Sequence, residues 1–157
     1  MKQVFKSIST RGVTLLEVML VLAVAAMIIL MSVRYYQSAT ASQQANAALQ
    51  QIQGITAAAD SLAQASGSYS AGGVSTTSLA PLLPGGTTNA FTTPWGTTIT
   101  ITAVGASSYT VSLPGTPSGV CPLLTSKLRQ NVHYSTVTPA TCTTSAAAVV
   151  YTYLANP

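Results

Sequence analysis

From Val18 to Met31 the chain carries no polar side chain, and no charged residue falls between Glu17 and Arg34. Counted from Val13 to Val33 the segment has 21 residues. As a helix rising ~1.5 Å per residue it would cover roughly 31 Å, which matches a bilayer hydrocarbon core of about 30 Å. A chain of 157 residues has the length of one domain, and with this segment set aside it can bury only a modest core. The run is therefore read as a membrane-spanning helix. Lys2, Lys6 and Arg11 precede it, while only Arg34 follows closely. The positive-inside rule then places the N-terminus in the cytoplasm and everything after Arg34 on the exported side.

Charge elsewhere is sparse. Charged residues make up 5% of the chain against 48% hydrophobic, far from the roughly 25% charged of an ordinary soluble protein. The formal charge of +4 belongs mostly to the first twelve residues. Beyond them Arg34, Lys127 and Arg129 stand against Glu17 and Asp60. Nucleic-acid binding gains little support, because meaningful phosphate binding takes several cationic contacts. On the exported side Cys121 and Cys142 can oxidise, and two cysteines allow one intrachain pairing. Two buried free thiols are the alternative.

A cleavable secretory signal has an apolar stretch of about 7 to 15 residues and a small-x-small site. Ala39-Thr40-Ala41 supplies such a site, but the apolar run is too long and Arg34-Tyr35-Tyr36 intervenes. Glu17 also interrupts its start. A carboxylate at the mouth of a membrane span is costly without compensation. It could merely favour the positive end of the helix dipole, worth about 0.3–1 kcal/mol.

The segment Gly12-Val13-Thr14-Leu15-Leu16-Glu17, entered from a short basic leader and followed by the apolar run, resembles the class III signal of type IV pilins and their relatives. The resemblance implies cleavage by a prepilin peptidase between Gly12 and Val13, removing residues 1–12, and N-methylation of Val13. It also implies subunit assembly through Glu17 and the new amine of Val13 in an adjacent copy. Opposite charges in a low-dielectric bundle attract strongly, whereas an unpaired one is heavily penalised. The implied partners are further copies of the chain in a helical filament, the prepilin peptidase and the pilus assembly machinery of a bacterial inner membrane. The implied end point is an extracellular pilus serving adhesion, aggregation, motility or conjugation.

After the span, residues 34–65 contain no proline and only Gly54, and are rich in Ala, Gln and Leu, all good helix formers. Leu49, Ile52, Ile55, Ala59 and Leu62 recur at helical spacing and predict one apolar stripe. Gln43, Gln44, Gln50, Gln51, Gln53 and Gln64 are assigned to the opposite face. Residues 66–94 turn to Gly, Ser, Thr and Pro and read as a connector over the head, anchored by Leu79, Leu82, Leu83 and Phe91. Residues 97–103 and 109–113 alternate like a β-hairpin, and 131–137 and 147–154 read as two further strands. Residues 122–130 predict a short helix with Leu123, Leu124 and Leu128 inward. Thr93-Pro94-Trp95-Gly96 reads as a turn with a packed tryptophan. Together with the cysteine-bounded C-terminal region, it is also similar to the type IVb branch.

The expected fold is α+β and pilin-like. It comprises a 13–33 membrane half and a 34–65 amphipathic half of one long helix, and a 66–157 head with a small, mainly antiparallel sheet. Catalytic chemistry finds no support. His133 is the only histidine and reads as a structural residue. Glu17 and Asp60 sit too far apart for acid–base work or for a strong calcium site, and the glycine-rich stretches lack a phosphate-loop ending. No cofactor is expected. The alternatives are a minor pilin or a secretion-type pseudopilin and, from another class, a membrane-anchored binding module.

Overall fold

A computed structural model describes residues 14–84, 90–142 and 147–157. The longest element, α1, is a single helix of 52 residues, Leu15–Ser66. A boundary between two compact units falls inside it, after Gln37.

In the first unit the apolar residues of α1 are exposed. Leu16 is 75% exposed, Leu22 63% and Leu30 66%. Ser32, the one polar side chain between Val18 and Val33, donates its hydroxyl to the Ile28 carbonyl at 2.8 Å, so its polar group is satisfied within the helix. This stretch is long and apolar enough to cross a membrane, which is compatible with membrane anchoring.

In the second unit α1 changes role. Ala45, Ala48, Ile52, Ile55, Ala58 and Ala59 are buried, one stripe at three- and four-residue steps. Leu49 and Leu62 flank it and are only partly buried. The stripe is thus centred on small alanines, with two isoleucines as its bulky members. Fully burying each isoleucine is worth about 1.5–3 kcal/mol. Gln51 departs from its expected place on the polar face. It lies at the inner edge of the helix, and its side-chain amide donates to the Thr92 carbonyl at 2.8 Å. A long amide can span from a helix flank to a loop carbonyl where a shorter polar side chain could not.

The connector is ordered by two short elements, α2 (Thr76–Leu79) and a 3-10 turn (Ala80–Leu82). Ser75 caps α2 in a reciprocal pair with Ser78, satisfying donors that a helix end leaves orphaned. Leu79 and Phe91 are buried anchors as expected, whereas Leu82 is 49% exposed. Leu82 ends the 3-10 turn, where tight winding sends neighbouring side chains to different sides. Part of the connector, Gly85 and Gly86 included, lies outside the described residues.

Strands β1 (Thr100–Ala103), β2 (Ser108–Thr116), β3 (Tyr134–Thr138) and β4 (Ala147–Leu154) form a four-stranded sheet of order β1-β2-β4-β3, antiparallel throughout. Alternation puts Tyr109, Val111 and Leu113 of β2, with Val149, Tyr151 and Tyr153 of β4, into the core that α1 covers. Helix α3 (Cys121–Arg129) buries Leu124 and Leu128. Leu123, expected inward, is 37% exposed, since the 100° step from Leu124 carries it off the buried face. The fold is the α+β arrangement expected: a long N-terminal helix packed on a small antiparallel sheet.

The turn at Trp95 is tied to an irregularity in β2. The β2–β4 register shifts between Leu113 and Thr116, and Gly115 there has a φ of +66°, a conformation that glycine adopts without steric cost. The Pro114 carbonyl, freed from the ladder, accepts from Trp95 Nε1 at 2.9 Å and from Thr97 Oγ1 at 2.6 Å. Trp95 is accordingly a packed, hydrogen-bonded turn residue.

Candidate functional site at the start of the apolar helix

Thr14 stands immediately before α1 and acts as its N-cap. Its Oγ1 accepts from the Glu17 backbone N–H at 3.3 Å, and its carbonyl accepts from Glu17 N at 3.0 Å and Val18 N at 3.2 Å. Thr14-Leu15-Leu16-Glu17 therefore has the Thr-x-x-Glu spacing of a capping box, in which a threonine side chain satisfies one of the first-turn N–H groups. The signal was present in the sequence but is easily passed over beside a membrane segment. Glu17 lies in the first turn of α1, where the helix dipole favours negative charge. Its side chain is exposed, so the carboxylate can serve the helix and still meet another group. Gly12 and Val13, the expected cleavage and methylation residues and the expected source of the partnering amine, lie outside the described residues.

The other residues singled out in the sequence sit in the second unit. Cys121 and Cys142 form a disulfide with a Cα–Cα distance of 5.9 Å, tying the first residue of α3 to the segment that follows β3. His133 accompanies the sheet. Its Nδ1 lies 2.9 Å from the Leu154 carbonyl, which can only accept, so Nδ1 carries the proton. The imidazole stacks on Tyr153 with centroids 5.7 Å apart. Lys127 donates to Asn46 Oδ1 at 2.7 Å, and Arg129 spans the Val137 and Pro139 carbonyls at 3.2 and 3.0 Å. Both cations are engaged in holding neighbouring segments of the head.

Sequence reading gave Asp60 no role beyond the helix, yet it organises a tyrosine cluster. Tyr69 donates to Asp60 Oδ1 at 2.5 Å, and Tyr153 approaches Oδ2 at 3.4 Å. Tyr109 packs edge-on to Tyr69 and stacks with Tyr153. Burial pushes the Tyr69 phenol well above the ordinary tyrosine range, and its hydrogen bond to the Asp60 carboxylate adds to this. Burial also raises Tyr153, followed by the charge of Asp60. Tyr109 and Tyr151 are raised mainly by burial, and neither hydroxyl has a hydrogen-bond partner within bonding distance among the described residues. Thr56, the polar side chain that opposes the shift at Tyr109, directs its own hydroxyl to the Ile52 carbonyl at 2.9 Å. The cluster joins residues 9 and 93 positions from Asp60, which no local pattern could reveal.

No protein-family model, curated protein or solved structure matches this chain.

Proposed function

We propose that the chain is the precursor of a type IV pilus subunit, cut between Gly12 and Val13, N-methylated on Val13, and polymerised through the first half of α1 into a surface filament. The observation that carries this reading is the split character of α1. One half buries an apolar stripe against its own head, while the other keeps a wholly apolar surface uncovered and holds its single acid in the first turn. Before assembly the bilayer would cover that surface, with the head on the exported side. In the filament the same half of neighbouring copies would replace lipid. Glu17 meets the Val13 amine of an adjacent copy in this scheme, which compensates a charge that apolar surroundings would otherwise penalise. The basic leader and the glycine before the cut support the same reading.

The capping geometry suggests how to separate the two roles of Glu17. Glutamine can fill the fourth position of a capping box as glutamate does but carries no charge. Glu17→Gln should therefore leave α1 and leader removal intact while abolishing filaments, judged by electron microscopy of sheared cells. Normal filaments in that variant would reduce Glu17 to a helix-capping residue. Mass spectrometry of the purified protein should find a mature chain beginning at N-methylated Val13. A terminus at Met1 or Ser42 would sink the assignment.

A further inference from the structure

Asp60 is one of two acidic residues in the chain, the other being Glu17. It is half-buried on α1, where a carboxylate ordinarily demands compensation. What meets it is a pair of phenols, through Tyr69 at 2.5 Å and Tyr153 at 3.4 Å. The second distance is long beside the usual ~2.7–2.8 Å of an O–H···O bond, so Oδ2 retains accepting capacity. The cations of the head are spent elsewhere, Lys127 on Asn46 and Arg129 on two carbonyls. Beside the carboxylate opens a cavity of about 480 Å³, walled by Asp60, Tyr69 and Tyr153 together with Gly67, Ser107 and Ala155.

At Asp60, Tyr69 and Tyr153 the hydrogen-bond inventory of this wall has one sign, whereas Gln64, Ser68 and Ser107, which also line it, can both donate and accept. An ionised carboxylate only accepts, and a phenol that directs its single proton to that carboxylate has only lone pairs left to offer. Three neighbouring groups thus present acceptors and one net negative charge. Their complement is a cation made of donors, which describes an ammonium or a guanidinium. A calcium ion fits poorly, because it takes six to eight oxygen ligands, several of them anionic as a rule. A quaternary ammonium fits poorly as well, since it is read through aromatic faces. The Tyr153 ring is already stacked against Tyr109 at 5.0 Å and His133 at 5.7 Å.

We propose that the Asp60–Tyr69–Tyr153 cavity is a binding site for an N–H-bearing organic cation, an alkylammonium or guanidinium head group. The site stands independently of filament assembly. Such a group could arrive on a free small molecule or on a basic side chain of another copy, where Arg34 is exposed.

The test uses the full chain in non-ionic detergent micelles, labelled on its tyrosine rings and titrated with ethylguanidinium chloride or propylammonium chloride at constant ionic strength. Saturable shifts of the Tyr69 and Tyr153 signals are expected, with an apparent Kd on the order of 1–10 mM. Asp60→Asn and replacement of the probe by tetramethylammonium should each weaken binding at least about tenfold. Shifts that do not saturate, tetramethylammonium binding as well as ethylguanidinium, or unchanged binding in a folded Asp60→Asn protein would overturn the proposal. If Asp60→Asn does not fold, Ser107→Arg decides. It places a tethered guanidinium on the exposed wall of the cavity and should abolish saturation by the free probe, and unaltered binding there refutes the site. Raising the protein concentration identifies the source. A self-induced shift of the same signals, removed by Arg34→Gln, supports a second copy as donor, whereas shifts seen only with added cation support a free ligand.

Discussion

The buried tyrosines should make the head sensitive to alkali in a calculable way. Tyr109 and Tyr151 are fully buried, and both hold their protons well above the ordinary range because burial disfavours the phenolate. An unfolded tyrosine ionises near pH 10. Above that value the unfolded chain binds fewer protons than the native one, so stability falls as pH rises. The stabilisation is fully present below pH ~10 and is lost progressively toward the higher folded-state values. At pH 11 each unfolded phenol gains about 1.4 kcal/mol from ionisation, so the two together remove about 3 kcal/mol. That is a large part of a domain stability of about 5–15 kcal/mol. Tyr69 and Tyr153 act in the same direction, which makes the two-residue figure a lower bound.

Trp95 is the only tryptophan, and it reports from the head. Guanidinium unfolding of the full chain in detergent, followed by Trp95 fluorescence at pH 8 and pH 11, should show the loss directly. Tyrosinate absorbance from the buried phenols should rise only as the head opens. The Tyr109→Phe/Tyr151→Phe double variant should lose about 3 kcal/mol of the pH dependence. At neutral pH it should cost little, since it removes two buried hydroxyls that have no hydrogen-bond partner among the described residues. Equal stability at both pH values, or ionisation of all tyrosines near pH 10 with native Trp95 fluorescence, would refute the reasoning.

Two further perturbations probe the frame around that core. Cys121 and Cys142 are 21 residues apart, and closing a loop of that length contributes about 3 kcal/mol under the chain-entropy treatment. Cys121→Ala/Cys142→Ala should lower the denaturation free energy by that order, and a change below about 1 kcal/mol would mean that the unfolded chain is already restricted there. Gly115→Ala should cost about 1–2 kcal/mol, because its φ is +66° and the new methyl would stand 2.9 Å from the Thr97 side chain, which is held by the Pro114 carbonyl. Gly67→Ala, with a φ of +87° and open space around it, should cost less. Equal melting-temperature losses for the two would remove the steric part of the account.

The elements that could be read in advance are those whose period is enforced by one buried face. β4 was expected at 147–154 and is found as Ala147–Leu154, because its alternation leaves only one face for Val149, Tyr151 and Tyr153. The hairpin at β1 and β2 was legible for the same reason, as were α3 and the amphipathic half of α1. Where expectation failed, the cause was tertiary for Gln51, which answers to the Thr92 carbonyl, and local for Leu123, which stands one 100° step off the inner face of α3. The Thr14–Glu17 cap was local and therefore available in principle. The Asp60 cluster was not, because Tyr153 reaches it across 93 positions.

The scarcity of charge acquires a physical meaning from these contacts. Hydroxyls carry much of the polar bonding in the head: Ser75 with Ser78 at α2, Thr93 with Thr97 at the Trp95 turn, Thr136 with Thr152 on the sheet. Neutral hydroxyls both donate and accept, and they satisfy buried backbone groups without the desolvation cost of an ion. A head built that way leaves its few charges free for single tasks. Lys127 and Arg129 hold segments together, while Asp60 gathers phenols around a negative cavity. Glu17 belongs to the same economy. In the apolar half of α1, which has no other acid, one carboxylate in the first turn gives an otherwise uniform cylinder a defined end, and in the filament proposed above that end would let neighbouring helices fix a register.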